Sequence, residues 1–266
     1  MNDFKKTVVR IGVPRLIMSL FLLALIAAVA VYQLQLGMTL GQCIVRSCIN
    51  MLLALAMVPA VKSGIGLNFG LPLGISCGLV AGLISLEYNM TGIGGIICAW
   101  IIAIPLAMVA GFAYGLLMNK VRGSELMVGT YIGFSIVAIM CIAWIKLPFK
   151  NPRIGWSMGE GLRVTITLDG WYDKALNHLW AFDIAGVTIP TGLLLTCAFF
   201  CFIIWLFTRS RAGMCMMAGG SNPNFARFNG INPSRTRILG AILSTVLGAI
   251  GIIFYAQGFG FYQLYS

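Results

Sequence analysis

Seven runs of apolar residues divide the chain, near 14–33, 43–61, 66–86, 93–119, 126–146, 186–208 and 236–258. Each is close to the length that crosses a bilayer as a helix, about 20 residues. Polar residues gather between the runs, and no stretch between them is long enough to fold as a separate soluble domain. The pattern predicts an all-α fold: one polytopic transmembrane helical bundle over 1–266, with about seven spans. Lys5, Lys6 and Arg10 precede the first run, and Ala28-x-Ala30 resembles a signal-peptidase site. The length of the run and a numbering that starts at Met1 favour an uncleaved first span.

Charge orients the bundle. With the N-terminus cytoplasmic, twelve of the 18 basic residues lie inside, among them Lys62, Lys120, Arg122 and five arginines from Arg209 to Arg237. The other six, including Lys146, Arg163 and Lys174, lie outside or close to it, as the positive-inside rule requires.

Within the spans, polar and glycine positions mark special sites. Asn50 falls mid-span, where an amide needs a partner on another helix or a solute. Pro59 interrupts the second span late. Gly66, Gly70, Gly74, Gly78 and Gly82 recur every four residues in the third, a row that lets another backbone approach closely. Pro72 breaks into that row and is expected to free backbone groups that must be covered or line a watery cavity. Ser124 is placed to cap the fifth span, and Glu125 suits its positive end.

The segment at about 147–184 is the sizeable outside stretch. Val164, Ile166 and Leu168 alternate with threonine before the turn Asp169-Gly170, predicting a short strand or hairpin. Trp171-Tyr172 and Leu179-Trp180-Ala181-Phe182 read as interfacial anchors or as a docking surface for a binding protein. His178 is given no catalytic role.

The longest basic interruption is the loop at about 209–235. Its middle predicts a short helix: Asn222 caps, Pro223 opens, and Asn229-Gly230 supplies a left-handed stop followed by apolar Ile231. Phe225 and Phe228 lie three apart and share one face, with Arg227 beside them. Asn232 and Pro233 then cap and open the last span. A rigid two-turn helix between two spans, showing two rings, suits docking to another protein. An ordinary cytoplasmic loop is the alternative.

The pattern Ala218-x-Gly220-x-Asn222, then Ala226-Arg227-x-x-Gly230-Ile231, resembles the cytoplasmic loop of permease subunits of ABC importers of the ribose, galactose and nucleoside type. A weaker resemblance reaches back to about residue 45. It implies that Gly220, Asn222, Pro223, Phe225, Ala226, Arg227, Phe228, Gly230 and Ile231 form the coupling site for an ATPase. It implies ABC ATPase subunits, a second permease subunit and an extracytoplasmic solute-binding protein as partners, in the inner membrane of a bacterium. The family often carries a glycine-rich motif with an acid after its first Gly-Ile. Here the residues read Gly64-Ile65-Gly66-Leu67-Asn68-Phe69-Gly70, with Gly66 in the acid's place, and Asn68 is similar to the nucleoside-type branch. Asn50, Asn68 and Phe69 are the candidate solute-pathway residues. Members of the family continue beyond the seventh span, so the last spans of the fold are expected to be missing here.

Composition narrows the classes. Hydrophobic residues make up 59% and charged residues 9%, against about a quarter charged in a soluble domain. Membrane lipid is therefore the surrounding medium. The net charge of +11 reads as the orientation signal, with no nucleic-acid partner. The eight cysteines form no C-x-x-C and, with one histidine, make no zinc site; they read as small packing residues. No P-loop, H-E-x-x-H, G-x-S-x-G or carboxylate pair occurs. The chain is thus expected to be a translocating subunit without cofactor or catalytic residue, carrying a sugar or nucleoside. The alternative is a self-sufficient secondary carrier or channel. No acid lies near a span centre, which weighs against ion coupling.

Overall fold

A computed structural model describes residues 13–31, 36–66, 70–146, 165–184 and 187–263. Its helices are α1 (Val13–Val31), α2 (Leu36–Lys62), α3 (Leu71–Glu87), α4 (Gly92–Lys120), α5 (Glu125–Lys146), the short α6 (Ala175–His178), α7 (Thr191–Arg209), α8 (Arg211–Ser221), α9 (Pro223–Phe228) and α10 (Pro233–Phe259). Four short strands accompany them: β1 (Thr165–Thr167), β2 (Ala181–Ile184), β3 (Val187–Pro190) and β4 (Phe261–Gln263). The chain is an all-α polytopic bundle. Each of the seven predicted segments carries a helix. Among the described residues, five (α2, α4, α5, α7 and α10) are long and apolar enough to cross a membrane, and Ile17–Ala28 within α1 and the whole of α3 are shorter apolar stretches.

Two compact units emerge. The smaller comprises Met1–Ile44 with Phe182–Ile189, and the larger Val45–Ala181 with Pro190–Ser266. The smaller holds α1, the start of α2 and most of the β2–β3 pair.

The larger unit is built around α10. Buried along it are Gly240, Ala241, Ser244, Thr245, Gly248, Ala249 and Gly251 among others, a strip without bulk. On α3, Gly74 and Gly78 lie against the backbone of Thr245 and Ala249, one turn apart on α10. On α4, Gly111 and Gly115 face Ile242 and Ile238, and the Thr245 hydroxyl donates to the Ala107 carbonyl at 3.0 Å. Leu53 and Ile49 on α2, and Ser63 just after it, fill the space left by Gly251, Gly258 and Gly240. Helices lacking a hydrophobic drive toward one another in lipid associate by this close packing. The outward faces of α4 and α5 remain apolar, with Val109 and Phe134 each 72% exposed. Such faces are stable against acyl chains and not against water.

Several expectations change. Pro72 does not break a helix. The described third helix begins at Leu71, so Pro72 sits in its first turn, where its missing N–H removes no helical bond. Gly66 falls outside α3, with φ +89 and nothing near the position of a side chain, so it is not part of the packed row. Gly70 precedes α3 and lies against the Tyr114 ring, and Gly82 against the Tyr262 hydroxyl. Pro59 stays inside α2, which runs on to Lys62. That helix also starts earlier than its apolar run, at Leu36. Conversely, α7 starts only at Thr191, because Pro190 ends a preceding strand.

The 165–184 segment pairs with a distant partner. Instead of folding into a local hairpin, β1 runs antiparallel to β4, with Ile166 opposite Tyr262. Gly170, at φ +83, makes the predicted turn, closed by Trp171 N–H donating to the Leu168 carbonyl at 3.0 Å. Trp171 and Tyr172 are buried, so they are not headgroup anchors. The Tyr172 and Tyr262 hydroxyls meet at 3.0 Å, and burial pushes both phenols above their usual range. Trp180 and Phe182 are exposed, as anchors would be. The Gln257 side-chain carbonyl accepts from Leu176 N–H at 3.3 Å and its backbone carbonyl from Lys174 N–H at 2.9 Å. The segment is thereby tied to the C-terminal end of α10.

Candidate functional site

The connection between α7 and α10 is folded throughout. Arg209, in the last turn of α7, stacks over Trp205 at 4.5 Å from the ring centroid. Ser210 ends α7 and caps α8, its hydroxyl accepting from Gly213 N–H at 3.2 Å. Arg211–Ser221, expected as loop, is helical. Ser210 before an Ala- and Met-containing run was the available signal, masked by three glycines. Those glycines serve packing. Gly219 rests against the Thr236 hydroxyl, and Gly220 meets the backbone of Lys62–Gly64 at the end of α2. Gly64, φ +76, would bring a Cβ within 2.8 Å of the Gly220 Cα. Gly220 therefore packs against α2.

Helix α9 has the predicted caps. The Asn222 side-chain oxygen accepts from Phe225 N–H at 3.0 Å, and Pro223 occupies the first turn. At the other end, Gly230 has φ +75. Its N–H donates to the Arg227 carbonyl at 3.0 Å, and Ile231 N–H reaches the Ala226 carbonyl at 2.9 Å. This paired closure is the glycine stop described by Schellman geometry. The Asn229 amide adds a bond to the Phe225 carbonyl at 2.9 Å.

The short helix is anchored by one residue and shows the rest. Ala226 is fully buried, whereas Phe225 is 58% and Phe228 91% exposed. Asn222, Pro223, Arg227 and Gly230 are exposed as well, and Ile231 is half-buried. The geometry therefore offers two aromatic rings and a guanidinium on a rigid mount. Asn232 then caps α10, accepting from Ser234 N–H at 3.0 Å.

The other candidate residues are less connected. Asn50 is exposed on α2, and its amide is satisfied by the Arg46 carbonyl one turn back at 2.8 Å, not by another helix. Asn68 and Phe69 lie outside the described residues. A cavity of about 270 Å³ lies among α2, α3, α5, α10 and β4, with Leu53, Leu79, Val137, Tyr255 and Phe261 in its wall. No group of three or more metal-ligating side chains occurs among the described residues.

An ion pair unforeseen in the sequence stands beside this loop. Arg237 donates to Glu125 at 2.7 Å, with side-chain exposures of 9% and 21%. Glu125 also accepts from Gly123 N–H at 2.8 Å.

Comparison with known proteins gives these features a context. Residues 39–266 match the family model described as branched-chain amino acid transport system / permease component. The chain is 24% identical over 169 residues to the nucleoside ABC transporter permease protein NupB of Lactococcus lactis subsp. cremoris (strain MG1363). That alignment covers 61% of this chain and 45% of the relative, so the chain spans less than half the relative's length. No solved structure matches the chain.

Proposed function

The chain belongs to the family of permease components of the branched-chain amino acid transport system, and from that membership we propose that it is the membrane-spanning subunit of an ATP-driven importer. It is a multi-pass membrane protein. In this reading it works in the inner membrane of a bacterium, beside a second permease subunit, above two ATPase subunits and beneath a solute-binding protein. ATP is hydrolysed by the ATPase partner. The solute is a nucleoside or sugar; the similarity to a nucleoside permease favours the former. Asn50, Asn68 and Phe69 belong to the solute pathway.

The observation that carries this reading is the exposure of Phe225 and Phe228 on a helix capped at both ends. Rings left in water forfeit the hydrophobic gain that a partner's groove would supply, about 1.5–3 kcal/mol each when fully desolvated. The caps leave α9 no slack, so a push on the rings reaches α10 directly. Closure of the ATPases would move α9 and, through α10, the spans around the pathway.

The test is uptake of radiolabelled uridine, adenosine and ribose by cells that carry the permease with its ATPase and binding protein. Phe225→Ala with Phe228→Ala should leave the permease in the membrane and abolish uptake. Uptake at the parent rate, with the ATPase still bound, would show that α9 is not the coupling helix. Uptake without any ATPase would instead support a self-sufficient carrier.

A further inference from the structure

Beside the coupling loop, the end of α4 and the first turns of α5 and α10 meet in a polar joint inside an otherwise apolar bundle. Asn119 donates to the Ser234 carbonyl at 2.9 Å, and Arg122 to the Ser234 hydroxyl at 2.9 Å. Arg237, one turn further along α10, donates to Glu125 at 2.7 Å.

Stability alone is a poor account of this joint. Arg237 sits in the second turn of α10, near the end where the helix dipole does not favour a cation, and Glu125 is its ion-pair partner. A buried ion pair can often be replaced by packed apolar groups without loss. Two buried groups in the joint also go unused: the Arg237 Nε–H has no acceptor, and the Asn119 Oδ1 has no donor. Native interiors rarely leave such groups unpaired. Here one is a donor and the other an acceptor: Arg237 stands on α10, and Asn119 is bound to Ser234 one turn earlier on the same helix.

The joint lies directly downstream of α9. Between Phe228 and Pro233 the chain passes only through the Gly230 stop and the Asn232 cap, each fixed by hydrogen bonds. A displacement of α9 therefore has a short, hydrogen-bonded path to Ser234 and Arg237.

We propose that Glu125, Arg237 and Asn119 are positioning residues of transport, forming a two-position joint that passes movement of the coupling helix from α10 to α4 and α5. The position seen here is held by the Arg237–Glu125 pair. In the other, the Arg237 Nε–H donates to Asn119 Oδ1. This inference rests on the coupling reading of α9.

Glu125→Gln keeps the shape and removes the charge. In proteoliposomes with the ATPase and binding protein, it should retain the ATPase and still hydrolyse ATP. It should move about tenfold less uridine, adenosine or ribose per ATP, within the usual range of coupling between sites. Exchanging the charges, Glu125→Arg with Arg237→Glu, should recover most of that ratio, which a mere loss of packing would not allow. A second readout needs no ATPase. Spin labels introduced through an unnatural amino acid at exposed Leu126 and Arg235 should give a narrow distance distribution in the parent and a broad one in Glu125→Gln. A parent transport ratio in Glu125→Gln overturns the proposal, and so does an unchanged distance distribution. Failure of the underlying coupling reading would show separately, as full coupling in Phe225→Ala with Phe228→Ala while Glu125 and Arg237 are intact.

Discussion

Helices α9 and α10 are joined by four residues and are opposite in character. Along α10 most side chains are buried, small and met by partners within the chain, from Thr236 near its start to Gln257 near its end. Along α9 only Ala226 is buried, and the bulky residues face outward. Caps rather than packing hold α9 in shape: Asn222 at one end and the Gly230 stop at the other. The contrast separates two kinds of constraint. Substitutions on the α10 contacts should be felt as lost folding. Substitutions on the exposed face of α9 should be felt only when a partner is present.

The largest effect should come from the α3–α10 contact. Gly74 lies against the Thr245 backbone, which cannot step aside as a flexible side chain can. Gly74→Leu should destabilise the bundle by about 3 kcal/mol or more, the upper end of overpacking costs. Thermal unfolding of the detergent-solubilised permease should show it, against a control with leucine introduced at a lipid-facing site such as Val109. Equal melting temperatures would show that α3 and α10 are not in close contact.

A smaller effect is expected at Gly230. Space is open around it, but its φ of +75 is costly for a β-branched residue. Gly230→Val should cost about 1–2 kcal/mol, spent on distorting the end of α9. Its signature is reduced uptake with little change in melting temperature. The smallest effect should be at Gly66, which has positive φ, open surroundings and no place in the packed row. Gly66→Ala should cost about 1 kcal/mol. A loss matching that of Gly74→Leu would return Gly66 to the contact.

Legibility followed the range of the interactions. Local chemistry was readable: the Asn222, Pro223 and Gly230 signals around α9, the Asn232–Pro233 opening of α10, and the turn at Gly170 depend on residues a few positions apart. The four-residue glycine spacing runs through Gly74 and Gly78, which lie against the backbone of α10, but periodicity does not say where α3 begins, and Gly66 falls outside it. Long-range pairings left no local trace. The strand at Thr165–Thr167 joins Phe261–Gln263, Gly64 meets Gly220, and Glu125 meets Arg237 across more than a hundred residues of chain. Trp171 and Tyr172 misled because an aromatic pair beside a span looks the same whether it rests on headgroups or packs against the start of α4 and Tyr262.

As a docking element, α9 would carry rings that bind a partner without holding the fold, in keeping with Phe228 at 91% exposure. The direct measurement is ATPase affinity for the purified permease, taken with its melting temperature, in the parent and in Phe225→Ala with Phe228→Ala. Two rings worth about 3–6 kcal/mol when desolvated predict at least a hundredfold weaker binding, at about 1.4 kcal/mol per factor of ten, and an unchanged melting temperature. Unchanged affinity, or a fall in melting temperature that accounts for the lost binding, would contradict it.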